Sequence, residues 1–308
     1  MGVDDILALG VLLGFLAVAY GLAYWVFRAR WDRSARVGLY LLFGIPGVLL
    51  LVFGIAYAIA GRDRGWIALA VGIGLCLPLV PAFRRFFAAW TPMDPASPVD
   101  MSGLCVVLAV VGFLFTSYVL SPDPVDAGAD VGIGALLVQF GAEIAFAYIL
   151  VGLGITRGLK HATARLGLVR PTLRTVGIGV AAVFAAYVVV AAGGIATYLF
   201  QPDVSKEIDA ITKEITSDVQ NPLGAIFFGL GAGAGEELLL RGAIQPKFGL
   251  LTTSILFALL HSQYGISFVL LGIFLVGVIL GLERKYLGTT AAIITHAIFN
   301  TIAVLASR

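Results

Sequence analysis

Residues 222–240 read PLGAIFFGLGAGAGEELLL, an apolar stretch that ends in two glutamates, Glu236 and Glu237. Its length is close to the roughly 20 residues that an α-helix needs to cross about 30 Å of hydrocarbon. An ionised side chain inside a bilayer is costly unless a partner compensates its charge. The stretch therefore predicts a membrane-spanning helix whose two acids have a partner or a function.

The composition of the whole chain is that of an integral membrane protein. Of its 308 residues, 60% are hydrophobic and 12% are charged, and the mean hydropathy is +1.01. A soluble domain has about 45–50% apolar and about 25% charged residues. The net charge of +2 indicates no particular partner because the charges lie in loops, and no nucleic-acid partner is expected.

Apolar stretches recur along the chain and predict an all-α, polytopic bundle of about ten membrane spans. They lie near 6–27, 37–60, 66–83, 103–120, 132–155, 176–200, 222–240, 251–262, 266–282 and 289–306. The long polar connection 201–221 carries apolar residues at helical spacing with acids between them. We expect an amphipathic helix near 203–220 that lies on the outer membrane surface or caps the bundle.

Lys and Arg are concentrated in alternate loops, and this distribution sets the orientation of a membrane protein. They follow the odd-numbered spans, for example Arg28 after the first and Arg165 after the fifth, whereas the other loops are acidic or mixed. The odd-numbered spans are therefore expected to end in the cytoplasm. Both termini are expected outside, and the chain is expected in the plasma (cytoplasmic) membrane.

Three short patterns near the end of the chain place acids, imidazoles and an amide within apolar segments. They are Glu236-Glu237-x-x-x-Arg241, Phe257-x-x-x-His261 and His296-x-x-x-Asn300. With a rise of 1.5 Å per residue, Glu236 lies roughly 8 Å from the cytoplasmic end of its span, His296 roughly 10 Å and His261 roughly 15 Å. These overlapping depths predict one site on the cytoplasmic side.

The spacing within each pattern predicts local contacts. Glu237 precedes Arg241 by one turn, the better order for a helical ion pair, which leaves Glu236 free to point into the site. Phe257 can pack on the His261 ring, and Asn300 can orient His296 or contact a substrate carbonyl.

Two further features leave alternatives open. Glu143 in the fifth predicted span, with Gln139 one turn away, has either a structural polar contact or an accessory role in the site. Gly231-x-x-x-Gly235 predicts a close approach between helices, and the missing side chains can leave room for an extended peptide beside Glu236.

A carboxylate, two imidazoles and a carboxamide are suited to amide hydrolysis. A glutamate can act as general base toward water, and histidines can bind a developing oxyanion or hold a metal. Two histidines and one glutamate also match the ligand set of catalytic zinc sites. Glu236, His261 and His296 are therefore candidate Zn²⁺ ligands, and a metal-free mechanism is the slightly favoured alternative.

The same residues resemble the motifs of a known family. Glu236-Glu237-Leu-Leu-Leu-Arg241-Gly242-Ala-Ile-Gln245, Phe257-Ala-Leu-Leu-His261 and His296-Ala-Ile-Phe-Asn300 are similar to the three motifs of the CAAX-processing and bacteriocin-processing (Abi, CPBP) intramembrane proteases. The resemblance covers residues 220–305 approximately. Leu240 departs from the pattern, because an aromatic residue is common before the arginine.

The resemblance implies a role for each motif residue. Glu236 would activate water with help from His261, and His296 and Asn300 would stabilise the oxyanion. Glu237 and Arg241 would be supporting residues. Residues 176–308 would form the catalytic membrane core, and residues 1–175 would be N-terminal transmembrane helices of unknown role.

The implied activity is endoproteolysis of a membrane-associated protein, the best-known substrates being prenylated proteins cut near the C-terminus. The partners would be membrane lipid and such a substrate. A proton-coupled transporter that uses the same Glu and His residues as an ion relay is the main alternative. A transporter of that kind predicts two halves with corresponding broken helices, and the sequence shows no such symmetry.

The predicted orientation can be tested with cysteines introduced near residues 165 and 210. A membrane-impermeant thiol reagent is expected to label them from opposite sides, because one lies in a basic loop and the other in the polar connection 201–221. A variant that lacks Cys76 and Cys105 gives the background. Labelling of both positions from the same side would contradict the ten-span arrangement.

Overall fold

The computed structural model describes residues 3–122 and 133–307, and the named elements in these ranges are helices. The predicted all-α class is confirmed. The α-helices in these ranges are α1 (Val3–Arg28), α2 (Arg33–Ile59), α3 (Arg64–Cys76), α4 (Pro81–Ala88), α5 (Pro98–Leu120), α6 (Ile133–Leu150), α7 (Leu159–Arg165), α8 (Leu173–Phe200), α9 (Pro202–Thr216), α10 (Pro222–Glu237), α11 (Gln245–Leu259), α12 (Phe268–Leu287) and α13 (Thr289–Ala306). A π-helix, Leu238–Ile244, joins α10 to α11.

Six helical segments in the described part of the chain are long and apolar enough to cross a membrane. They are Gly10–Arg28, Arg33–Ile59, Pro98–Leu120, Leu173–Phe200, Pro222–Leu259 and Thr289–Ala306. The pair Arg64–Leu79 and Pro81–Ala88, bent by 88°, would make a seventh span, and Gly134–Leu150 is a shorter apolar helix. The chain is thus an integral membrane protein, but the predicted count of about ten spans is not confirmed.

Glycines on two sides of α10 let neighbouring helices approach its backbone. Gly233 faces α13, where a Cβ would stand 2.9 Å from the Ala297 nitrogen. Gly231 and Gly235 face α6, against the Phe140 ring and the Glu143 carboxyl group. The predicted close approach at Gly231-x-x-x-Gly235 is confirmed. The expected room for a peptide on this face is wrong, because these two α6 side chains occupy it.

A break at Gly249 turns the chain back between the first two motifs. Gly249 has φ 81° and ψ 172° inside α11, a left-handed φ that glycine adopts without a side-chain clash. Phe257 would lie about 24 Å from Arg241 along a straight helix. Instead, the Arg241 Cζ atom lies 4.4 Å from the centre of the Phe257 ring. The chain reversal at Gly249 therefore brings the second motif, which begins at Phe257, next to the first motif, which ends at Arg241.

Residues in and just before α5, which lie outside the three motifs, stabilise the reversal at Gly249. Lys247 Nζ lies 2.9 Å from Asp100 Oδ2, and the Asp94 backbone nitrogen donates to the same oxygen at 2.8 Å. Phe248 is buried in an apolar cluster with Met93 and Leu104. Contacts therefore cross the predicted boundary near residue 175, and the division into two domains stays a prediction.

The predicted amphipathic helix is α9, followed by a 3₁₀ turn, Ser217–Val219. Its apolar residues Ile208 and Ile211 are buried, and Ile208 belongs to the same apolar cluster as Phe257. Thr216 Oγ1 lies 2.9 Å from Ser307 Oγ at the end of α13. This packing agrees with the alternative in which the helix caps the bundle.

Candidate active site

The two acids of the first motif lie where α10 becomes a π-helix, Leu238–Ile244. Widened turns of this kind are rare in proteins, and many of those that occur lie at functional sites. Arginine side chains bind two of its carbonyl groups: Arg284 Nε donates to the Arg241 oxygen, and Arg165 Nη1 donates to the Gly242 oxygen, each at 3.0 Å. These contacts tie the turn to α12 and α7.

Glu237 is the centre of a buried polar cluster. Its Oε2 atom lies 3.3 Å from Arg241 Nε, and both side chains are 0% exposed, so the predicted ion pair is confirmed. Its other oxygen, Oε1, lies 3.0 Å from His296 Nδ1. A carboxylate only accepts hydrogen bonds, so His296 Nδ1 carries the hydrogen and the Nε2 atom remains for other contacts.

Arg241 extends the cluster to two more helices. Its Nη2 donates to the Gly277 carbonyl oxygen of α12 at 3.2 Å. Its guanidinium group lies over the Phe257 ring of α11, an arrangement that favours a cation–π attraction. The charge of Arg241 is therefore balanced by one carboxylate and held in place by a carbonyl and an aromatic face.

Phe257 lies between the two imidazoles of the site. Its ring centre is 4.6 Å from that of His261 and 5.8 Å from that of His296, so the predicted packing on His261 is confirmed. The His261 Nδ1 atom lies 2.7 Å from the Phe257 carbonyl oxygen, which only accepts. In both histidines, Nδ1 therefore makes a hydrogen bond within the protein, and Nε2 is left for other contacts.

Glu236 and Asn300 are partly buried. The orientation of Glu236 toward the imidazoles stays a prediction. Within the described residues, His296 Nδ1 bonds Glu237, and no hydrogen bond joins the His296 ring to Asn300. Glu237 is thus the residue that holds His296 Nδ1, and both suggested roles of Asn300 stay predictions.

Sequence reasoning missed several neighbours of the site. Glu283 is 5% exposed and accepts a hydrogen bond at 2.8 Å from Thr295, the residue before His296. The Tyr264 ring is stacked near His261, with ring centres 6.1 Å apart. Glu283 stands beside Arg284 and Lys285, so its sequence resembles a charged loop, and Tyr264 carries no charge that would single it out between two apolar stretches.

The candidate zinc ligands do not form a recognisable metal site. In the described ranges, no group of three His, Cys, Asp or Glu side chains is arranged to hold a metal ion. A catalytic zinc site needs three such ligands around one open position.

The comparison with protein families gives a match that spans all three motifs. Residues 218–302 match the family model described as type II CAAX prenyl endopeptidase Rce1-like. The resemblance to CAAX-processing proteases is confirmed for this segment. Comparisons with curated proteins and with solved structures give no match. At the level of the family, the Rce1-like segment supports a CAAX-type intramembrane endopeptidase.

The two adjacent acids are expected to respond differently to substitution. Glu237→Gln should lower the free energy of unfolding by about 3 kcal/mol, because it leaves the buried Arg241 without its anion. Glu236→Gln should change stability little, because Glu236 has no such ion pair. Thermal unfolding of both purified variants in detergent measures the difference. Equal melting temperatures would contradict this division of roles.

Proposed function

We propose that this protein hydrolyses a peptide bond in a membrane-associated substrate of the CAAX type, near a prenylated C-terminus. The observation that carries the proposal is the buried Glu237, which binds Arg241 and His296 and is the next residue after Glu236. This arrangement lies within the Rce1-like match. In this proposal, adjacent residues of one helix supply a structural carboxylate, Glu237, and a reactive carboxylate, Glu236.

Water is the nucleophile in the proposed reaction. Glu236 takes a proton from water while the His261 ring, held at Nδ1 by the Phe257 carbonyl, accepts a hydrogen bond from the same water at Nε2. The water oxygen forms a bond to the scissile carbonyl carbon, whose oxygen becomes negative. General base catalysis of this kind contributes about 10²–10⁴-fold to a rate.

The different partners of the two histidines support different roles. His296 donates from Nδ1 to an anion, the Glu237 carboxylate, so it is the ring better placed to carry a second proton on Nε2. That N–H and the Asn300 amide donate to the oxyanion, the interaction that usually contributes most to such catalysis. The proton on Glu236 then passes to the leaving nitrogen as the C–N bond breaks, which gives a carboxylic acid and an amine; the acid then loses its proton to water.

The expected location of the site follows from the basic loops. Arg165 and Arg284 bind the π-helix that follows the two acids, and both belong to loops that the sequence predicts to be cytoplasmic. We infer that the site opens toward the cytoplasmic side of the plasma membrane, where the prenylated end of a cytosolic protein would reach it.

The proposal is tested by incubating purified protein with a fluorescent prenylated peptide in detergent. Wild type is expected to release the C-terminal fragment, and Glu236→Gln is expected to be slower by about 10²–10⁴-fold because it removes the base. Glu207→Gln, on the exposed face of α9, is the control and should match wild type. Cleavage by Glu236→Gln at the wild-type rate would exclude the assigned base.

Whether the reaction needs zinc is tested separately, by chelation. Because no three-ligand group is formed among residues 3–122 and 133–307, extended chelation of the active protein is expected to leave the cleavage rate unchanged. Metal analysis of the same sample should then give far less than one zinc per chain. Loss of activity on chelation, with recovery on added Zn²⁺ but not Mg²⁺, would instead assign Glu236, His261 and His296 as ligands.

A further inference from the structure

Glu143 is an acidic group inside the bundle that the proposed mechanism does not use. It lies in α6, where Gln139 Nε2 donates to its Oε1 atom at 3.1 Å, as the one-turn spacing predicted. Its other oxygen, Oε2, is buried and has no hydrogen-bond partner in residues 3–122 and 133–307. A buried acceptor without a partner is costly, so a functional reason for its position is worth seeking.

The unpartnered oxygen lies directly over Gly235, the residue before Glu236. A Cβ at position 235 would stand 3.2 Å from Glu143 Cβ and would overlap Glu143 Oε2. The approach is possible only because Gly235 has no side chain. Glu236 is the next residue along α10, so the Glu143 carboxyl group packs one residue away from the proposed base. Helix α6 thus places a carboxyl group alongside the proposed base.

We propose that Glu143 is a positioning residue for Glu236. Packed over Gly235, the Glu143 carboxyl group fills the space on the α6 side. The Glu236 side chain is thereby restricted to orientations that face His261 and His296. This inference rests on the proposed function, because it assigns the orientation of the base in that reaction. Displacement of a reacting group by about 1 Å can lower a rate by about 100-fold.

Two substitutions at Glu143 separate positioning from charge. Glu143→Gln keeps the shape and can still accept from Gln139, so kcat for the prenylated peptide should stay within about threefold of wild type. Glu143→Ala removes the packing, and kcat should fall by about 10- to 100-fold with KM nearly unchanged. Equal losses in both variants would overturn a positioning role, as would no loss in either.

A third substitution moves the carboxyl group without changing either acid. In Gly235→Ala, the new methyl group displaces the flexible end of Glu143, and alanine favours the helix more than glycine does. The variant is therefore expected to fold and to lose kcat as Glu143→Ala does. Adding Gly235→Ala to Glu143→Ala should cause no further loss, because the two changes remove one contact. Additive losses would overturn the proposal.

Tyr148→Phe is the matched control on the same helix. It removes a hydrogen bond at 3.0 Å between Tyr148 Oη and Thr163 Oγ1, away from Gly235, and should leave kcat unchanged. All rates are taken on the folded fraction from size-exclusion chromatography, so a loss of folded protein does not count as a loss of kcat. If wild type cleaves and the Glu143 variants match it, only the positioning role fails. If wild type cleaves no peptide, the proposed function fails and this inference fails with it.

Discussion

The burial of the Glu237 carboxylate is the constraint on which the arrangement of the site depends. A charge with no exposure to solvent must be compensated by partners at fixed distances. Arg241 and His296 supply them from the π-helix and from α13. Because desolvation offsets much of the attraction in a buried pair, we interpret its effect as one on geometry: α13 packs in the register that brings His296 to Glu237.

The other helices of the site are placed by the side chains of this cluster. Arg241 binds the Gly277 carbonyl of α12 and covers the Phe257 ring of α11. Phe257 in turn packs on both imidazoles. One buried carboxylate therefore relates four helical segments, and Glu236 is its neighbour in sequence. In the proposed reaction, groups held in place by such contacts would need no reorganisation.

Small residues make this compact arrangement possible within a membrane. Apolar side chains gain little by leaving lipid for protein, so membrane helices associate mainly through close packing and polar contacts. Gly233 admits the backbone of α13, and Gly235 admits Glu143 from α6. The segment before the Rce1-like match also contributes, because Asp100 binds Lys247 next to the Gly249 reversal. The helices that precede the Rce1-like match therefore contact it at Gly235, next to the two acids, and at the Gly249 reversal.

The sequence by itself determined the membrane class, the three motifs and the contacts within single helices. Glu237 with Arg241, Phe257 with His261 and Gln139 with Glu143 were predictable, because residues one turn apart share a helix face wherever the helix packs. The count of spans was less accessible, since hydropathy does not show the bend before Pro81 or the reversal at Gly249. Only the tertiary structure decided that Glu237 binds His296, and that Glu143 lies over Gly235. These pairs lie on different helices, and their meeting depends on how each helix is rotated and shifted against its neighbour, which local spacing does not encode.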